Sequence, residues 1–314
     1  MPTMITVAIC TRNRAAALEE TLESLRTIPP DLDWELIVCG NACNGGTESV
    51  AKSFSGTLPL RFAAEPALGL SNARNRCLLE SRGAVVAFID DDVTLQDGWL
   101  QALREGEAAN PRAGVFGGPI VPVFPPGTDP DLLEVLPSIR RGFAGLDFGP
   151  APRTLEFPDY PFGANMAFRR EAVQGLQFDP SLGYRGKSLV PGEERAFVGA
   201  VVGQGWTIAW LPGMSLEHRI AADRLTLSYL SRLTRDYTAL ASSELPVPRG
   251  RLLAGVPRWL VRRYLELRAR ALVSRMTGHR GAHIARSIEA ARILGQIAGV
   301  RRRHAIATSE LQHR

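Results

Sequence analysis

Val85-Val86-Ala87-Phe88-Ile89-Asp90-Asp91-Asp92 sets an apolar run directly against three carboxylates. The run is short, β-branched and aromatic, which is the composition of a buried strand. Three carboxylates at its C-terminal end repel one another. Charges at a loop tip are readily solvated, so one reading is a plain acidic turn. The other is a seat for a hard divalent cation, because Mg²⁺ is usually held by one or two carboxylates together with substrate phosphates. The rest of the chain decides between them.

Upstream and just downstream of the triplet, strand and helix patterns alternate. Ile5–Cys10, Trp34–Cys39, Leu60–Ala64 and Gly114–Val123 read as strands. Ala16–Leu25, Thr47–Phe54, Leu70–Leu79 and Gly98–Ala109 read as helices. This order predicts an α/β fold with a mostly parallel sheet and helices on both faces. Ligands of such sheets bind beyond the carboxyl ends of the strands. Thr11, Gly40, Glu65 and Asp90 all fall on that edge.

With 314 residues, 45% of them apolar, the chain can bury one large core with an appendage or form two domains. The charged run Thr11–Glu20 predicts no signal peptide. The charge-free stretch Ala196–Leu216 is broken by glycines and Pro212, and reads as a helix end, a turn and a strand. Cys10, Cys39, Cys43 and Cys77 lack metal-ligand spacing and read as reduced cytosolic thiols. The stretch 124–161, rich in Pro and Gly, reads as a long loop, which is usually functional or mobile.

The net charge of +5 conceals an asymmetry: residues 219–314 hold 19 Arg, no Lys and six Asp or Glu, a net of +13 over an otherwise acidic body. Such a tail suggests an anionic surface as partner. From about Ala222 the pattern turns helical. In Pro257–Arg275, Leu260, Tyr264, Leu267 and Ala271 share one face, with Arg262, Arg263 and Arg270 largely off it. The helix either packs on the catalytic body or a second copy, or lies at a membrane interface with Trp259, Leu260 and Tyr264 inserted.

The ordered motifs add up to more than their parts. Val7–Arg14 ends in Thr11-Arg12-Asn13-Arg14, Cys39–Thr47 carries Gly40 and Asn41, and Gly69–Asn75 carries Ala73-Arg74-Asn75. After the aspartate triplet come Phe162–Arg170 with Gly163 and Asn165, then Gly192-Glu193-Glu194-Arg195, then His218 behind Pro212. In this order the chain resembles the family 2 glycosyltransferases of GT-A fold over about Ile5 to Arg219. The resemblance implies the nucleotide-diphospho-sugar transferase fold, with a catalytic domain over 1–221 and an Arg-rich helical region over 222–314.

The resemblance also implies roles. Thr11, Asn13, Arg14, Gly40, Asn41, Arg74, Asp90, Asp91 and Asn165 would meet the donor. Arg74, opening a helix near the nucleotide, can pair with phosphate. Asp92 and His218 would hold Mg²⁺ or Mn²⁺. Gly40 and Gly45 stand where the family usually carries aspartates, one of which contacts the nucleoside. Glu194 would be the base that takes the acceptor proton, beside Glu193; carboxylates opening a helix also serve simply as dipole partners.

The implied reaction is an inverting, metal-dependent transfer of a hexosyl group from a nucleotide-diphosphate sugar. The acceptor would be a glycan or a lipid-linked species in surface polysaccharide or glycolipid synthesis. No Gln-x-x-Arg-Trp is present, which argues for one sugar per encounter. The expected place is the cytoplasm, peripheral on the inner face of the plasma membrane. A homo-oligomer is compatible with the tail, and no nucleic-acid partner is expected. Two other readings stand on the same residues. A sugar-nucleotide nucleotidyltransferase would need a Gly-rich triphosphate loop after the first strand, which Cys10–Ala17 lacks. A non-enzymatic Arg-rich adaptor for membrane or nucleic acid leaves the acidic motifs unexplained.

Overall fold

The structure, a computed structural model, describes residues 4–185, 188–190, 192–244 and 250–312. It begins with strict alternation: β1 (Ile5–Thr11), α1 (Ala15–Leu25), β2 (Trp34–Asn41), α2 (Gly46–Ser53), β3 (Leu60–Glu65), α3 (Leu70–Glu80) and β4 (Val85–Ile89). Then come β5 (Val93–Leu95), α4 (Trp99–Ala109), β6 (Ala113–Gly117), β7 (Ile120–Val123) and a short α5 (Pro130–Leu133). Next are β8 (Arg153–Leu155), β9 (Asn165–Arg169), the hairpin β10 (Gly183–Arg185) and β11 (Ser188–Val190), α6 (Glu193–Gly203), β12 (Thr207–Trp210) and β13 (Leu216–Arg219). The chain closes with α7 (Leu227–Glu244), the small hairpin β14 (Leu252–Leu253) and β15 (Val256–Pro257), α8 (Arg258–Met276) and α9 (Arg280–Gln312).

These elements form two compact units. One runs to Val123 and again over Ala144–Arg219; the other joins Phe124–Phe143 to the chain from Ile220 onward. The stretch 124–161, read as a long loop, carries secondary structure, including β8 in its second part. Residues 124–143 hold α5 and a 3₁₀ segment, Leu136–Phe143, that buries Leu136, Ile139 and Phe143.

The first unit is built on an eight-stranded sheet of order β3-β2-β1-β4-β9-β6-β12-β8. β3, β2, β1 and β4 are parallel neighbours, as the alternation predicts. β4 is buried along its whole length, as the apolar run Val85–Ile89 requires. β9 lies antiparallel between β4 and β6, so a strand from far along the chain completes the middle of the sheet. The single strand expected over Gly114–Val123 is two strands in two sheets: β6 stays in the large sheet, while β7 joins a three-stranded sheet of order β5-β13-β7. The break falls at Gly117-Gly118-Pro119. A Cβ on Gly118 would lie 2.0 Å from the Met214 carbonyl oxygen, so only glycine lets the chain pass there.

At the amino end of the sheet, Glu35 is buried and takes hydrogen bonds from Thr6 Oγ1 (2.8 Å) and the Arg82 amide (2.6 Å), with Arg61 Nη2 at 2.9 Å. Burial works to raise its carboxyl, but these donors outweigh burial and hold it below its ordinary value. A depressed folded-state value contributes stability that is present above the unfolded value and lost as pH falls through the folded one. Glu35→Gln is expected to cost about 1–3 kcal/mol at neutral pH, and to flatten the acid side of the stability curve. Urea titrations of both proteins between neutral pH and about pH 4 test this; identical pH slopes would refute it.

The second unit rests on two apolar clusters. Leu132, Leu136, Phe143, Ile220, Leu230, Ile284 and Ile288 form the first. In the second, Leu260, Leu267, Val256, Ala290, Ile293 and Ile297 come together, with Tyr264 packed against them. Leu260 and Tyr264, expected among the membrane-inserting residues, thus face α9. An apolar stripe buries itself against the nearest complementary stripe, and α9 supplies one. Among the described residues, no helix is long and apolar enough to cross a membrane.

Candidate active site

The carboxyl edge of the parallel strands gathers two charged clusters. The first surrounds the aspartates. Thr11, the last residue of β1, donates from Oγ1 to Asp91 Oδ2 at 2.6 Å. Arg14 straddles the triplet, with Nη1 2.5 Å from Asp91 Oδ1 and Nη2 2.7 Å from Asp92 Oδ2. Thr21, on the buried face of α1, donates to the Asp91 carbonyl at 2.9 Å and is 3.0 Å from that of Val93. Arg219 completes the brace by donating to Thr21 Oγ1 at 2.9 Å. The pairing of β13 with β5 sets His218 opposite Val93, which brings its Nε2 to 3.1 Å from Asp92 Oδ1.

The three carboxyls are driven apart by these surroundings. Burial and the neighbouring Asp92 charge raise Asp90, against the pull of His218 and Arg74. Burial pushes Asp91 up to about 6, opposed by Arg14 and Thr11. Burial would raise Asp92 too, but the hydrogen bond and charge of His218, with Arg14, hold it well below the usual carboxylate range.

Asp90, Asp92 and His218 each offer a ligand atom, and these atoms lie within 4.8 Å of one another. Two carboxylate oxygens suit Mg²⁺ or Mn²⁺, and the imidazole nitrogen is taken more readily by Mn²⁺. The residues present fit such an ion. Asp91 differs from its neighbours, because both its oxygens are held by Thr11 and Arg14 and it fastens the loop.

The second cluster centres on Arg74, which is buried on α3. Its Nη2 lies 2.8 Å from Glu194 Oε1 and its Nη1 3.3 Å from Glu193 Oε1. The Phe178 ring covers the guanidinium, with its centroid 5.3 Å away. Burial opposes the Arg74 charge, but the two glutamates outweigh burial and raise its pKa. Burial and the Glu194 charge raise Glu193, with Arg74 opposing. The two glutamates are not equivalent: the Glu194 side chain is 21% exposed and that of Glu193 9%. The clusters share one edge: Asn165 pairs with Ile89, the neighbour of Asp90, and Gly163 just before it lies against Arg74 and Glu194.

Gly163 is the backbone complement to this cluster. A Cβ there would lie 2.0 Å from Arg74 Nη2 and 2.1 Å from Glu194 Oε1. Gly163→Ala is expected to push the ion pair aside and lower turnover by about 10²-fold, the effect of a misplacement near 1 Å. Steady-state kinetics beside a melting curve test this; normal turnover would show that the pair tolerates displacement.

The remaining residues read from the sequence are placed differently. Asn41, at the end of β2, donates to the Ala67 carbonyl (2.7 Å) and accepts from the Gly69 amide (2.9 Å), which clamps the loop leading into α3. A Cβ on Gly40 would lie 2.6 Å from the Phe62 ring, so the ring fills the space a side chain would need. Asn13 accepts from the Asn44 amide at 3.0 Å and links the loops after β1 and β2. Asn165 is fully buried; its amide joins Trp99 Nε1 (2.9 Å), the Met214 carbonyl (2.6 Å) and the Pro119 carbonyl (3.1 Å). Thr21 and Phe178 carry parts of the site that no motif announced, and Arg219, which closes the stretch around His218, has a role the sequence did not reveal. Thr21 stands out only as a polar residue among the apolar positions Leu18, Leu22 and Leu25 of α1.

The carboxyl edge of a mostly parallel sheet thus carries an aspartate cluster and a glutamate–arginine pair. The sequence model of glycosyl transferase family 2 matches residues 6–176, more than half of the chain. The chain belongs to glycosyl transferase family 2. The succinoglycan biosynthesis protein ExoM of Rhizobium meliloti (strain 1021) is 27% identical over 240 residues, 73% of this chain and 71% of that one. The glucosyl-dolichyl phosphate glucuronosyltransferase of Haloferax volcanii is 26% identical over 196 residues, 60% of each chain. Among solved structures, the mannosyltransferase PcManGT from Pyrobaculum calidifontis, in complex with GDP-Man and Mn²⁺, superposes with a TM-score of 0.53 at 20% identity, covering 78% of this chain and 66% of that one. TarS of S. aureus, residues 1–349 in complex with UDP-GlcNAc, gives 0.54 at 15% identity, covering 78% and 68%. At such identities these likenesses speak for the fold.

Proposed function

We propose that the enzyme transfers a single hexosyl group, with inversion and metal dependence, from a nucleotide-diphosphate sugar to a glycan or lipid-linked acceptor. The setting would be surface polysaccharide or glycolipid synthesis, in keeping with the relatives named for succinoglycan biosynthesis and for a dolichyl phosphate substrate. Catalysis belongs to the first unit, which runs to Val123 and again over Ala144–Arg219, and the Arg-rich region 222–314 of the second makes peripheral contact with the anionic inner face of the membrane. The observation that carries the reading is that the Asp90–Asp92–His218 cluster and the Arg74–Glu194 pair lie at one sheet edge, joined through the Ile89–Asn165 pairing and Gly163.

Asp90, Asp92 and His218 would hold Mg²⁺ or Mn²⁺, whose charge offsets that of a departing diphosphate. Arg74 orients Glu194 and neutralises Glu193. Glu194, the more exposed carboxylate, takes the acceptor hydroxyl proton as the hydroxyl oxygen bonds to the sugar carbon; the nucleoside diphosphate leaves from the opposite face. Thr11 and Arg14 hold the aspartate loop in register, and Arg14, partly exposed, can also reach a phosphate.

A thermal-shift screen of nucleotide sugars, each with Mn²⁺, Mg²⁺ or chelator, tests the reading. One class of donor is expected to stabilise the fold by mass action, and only with the ion. Stabilisation indifferent to chelator would remove the metal from the proposal, and none with any donor would overturn it. NMR of the product anomer decides inversion.

A further inference from the structure

Within the C-terminal unit, α7, α8 and α9 enclose a groove of about 550 Å³. This lies within the usual range for small-molecule sites, about 300–1,000 Å³. Arg232 and Arg235 reach it from α7, and Arg268 and Arg275 from α8. His283 and three serines also line it, and none of its lining residues is Asp or Glu. Arg235 pairs with Asp236 at 2.8 Å, and Arg232 lies over the Tyr229 ring at 5.4 Å. Among the described residues, the Arg268 and Arg275 guanidiniums have no carboxylate partner. The floor is apolar, formed by Tyr264, Ala271, Ala290 and Leu294. Cations gathered over an apolar floor suit a ligand with an anionic head and a hydrocarbon body.

The neighbouring surface of α8 has the same character. Although its Leu260 and Leu267 face is buried on α9, Leu265 (59%), Leu272 (56%), Val273 (57%) and Met276 (78%) are exposed. Leu265, Leu272 and Met276 are spaced seven and four residues apart, so they form one stripe along the helix. Leu272 belongs to both the stripe and the groove wall, and Arg268 and Arg275 flank the stripe. An apolar stripe flanked by arginines is the pattern of a helix lying in a lipid interface.

We propose that this groove and stripe together seat an anionic phospholipid surface. The lipid phosphate sits among Arg232, Arg235, Arg268 and Arg275, and the acyl region meets Leu265, Leu272 and Met276. This rests on the membrane contact proposed above and assigns it to residues. It also replaces the expected insertion of Leu260, which is buried against α9; Tyr264 is partly buried and lines the groove.

Co-sedimentation of the full chain with vesicles tests it. The full chain is expected to bind phosphatidylglycerol vesicles, to ignore phosphatidylcholine vesicles, and to lose binding as salt rises. Arg268→Gln with Arg275→Gln should weaken binding about 30-fold, roughly fivefold per arginine at an anionic surface. Arg301→Gln with Arg302→Gln, exposed on α9 and outside the groove, removes the same charge and should change it by less than about twofold if only groove arginines meet the surface. Leu272→Ser with Met276→Ser should also weaken it, with the melting temperature unchanged because both side chains are exposed. If the full chain ignores anionic vesicles, the membrane contact itself falls. If it binds but the two arginine pairs behave alike, the groove assignment falls and the contact stands. Equal binding of free glycerol 3-phosphate by calorimetry, lost in the groove pair, would make the ligand a soluble phosphate ester. Tighter binding to duplex DNA than to vesicles, lost in the same pair, would make the groove a nucleic-acid site.

Discussion

Glu194→Gln is expected to lower sugar transfer by about 10²–10⁴-fold, the usual worth of a positioned acid or base, and to leave donor affinity unchanged. The substitution keeps the shape of the side chain and an oxygen that can still accept from Arg74 Nη2, now 2.8 Å from Glu194 Oε1. Fold and pairing should therefore survive while the basicity is lost. Glu193→Gln is the informative companion. Glu193 is the more buried of the two and lies farther from Arg74, at 3.3 Å. Its loss should act through the placement of Arg74 and cost less. Single-turnover kinetics with a saturating donor separate the two effects. Near-normal transfer by the Glu194 variant together with an inactive Glu193 variant would move the base to Glu193.

Asp92→Asn is expected to weaken ion-dependent donor binding by more than the roughly 10–100-fold typical of losing a residue that only supports a metal ligand. Asp92 touches both His218 (3.1 Å) and Arg14 (2.7 Å), and those two keep its carboxylate ionised. The amide removes the charge but can still bond to either neighbour. Titration calorimetry of a nucleoside diphosphate with Mn²⁺, repeated with chelator, measures the effect. Equal affinities for both proteins under both conditions would exclude a metal role for Asp92. Asp91→Asn is the contrast. Because Thr11 and Arg14 hold both of its oxygens, its cost should appear in the melting temperature more than in ion dependence.

Much of the first unit was legible in local pattern. Short β-branched runs separated by amphipathic segments announced the parallel strands; in β1, β2 and β4 burial on both sheet faces leaves a continuous apolar signature, while the edge strand β3 is only partly buried. The ligand edge followed from topology, since Thr11, Gly40 and Asp90 each end such a run. The charge asymmetry of the tail was likewise open to a count of arginines. What local pattern does not encode is the partner. Periodicity says that a face is buried, not what covers it. The apolar face of α8 therefore read equally well as a membrane anchor, and only packing showed Leu260 and Leu267 on α9 while Leu265 and Leu272 remained outside.

The same limit governs the site. Arg74 and Glu194 are 120 residues apart, and their ion pair exists because the sheet closes around β9. His218 reaches Asp92 because β13 pairs with β5 in a second sheet, which the split at Gly117-Gly118-Pro119 makes room for. Asn165 stands in a motif whose resemblance implies donor contact, and its buried amide is held by Trp99, Pro119 and Met214, partners that only the fold brings to it. The alternation of strands and helices from β1 to β4 and the residue types at the ligand edge are written in the local sequence, and the ordered motifs carry the resemblance to the family. Tertiary structure decided which carboxylate is held, which is left open and which helix face meets solvent. Those outcomes depend on burial and on pairing between residues far apart in the chain.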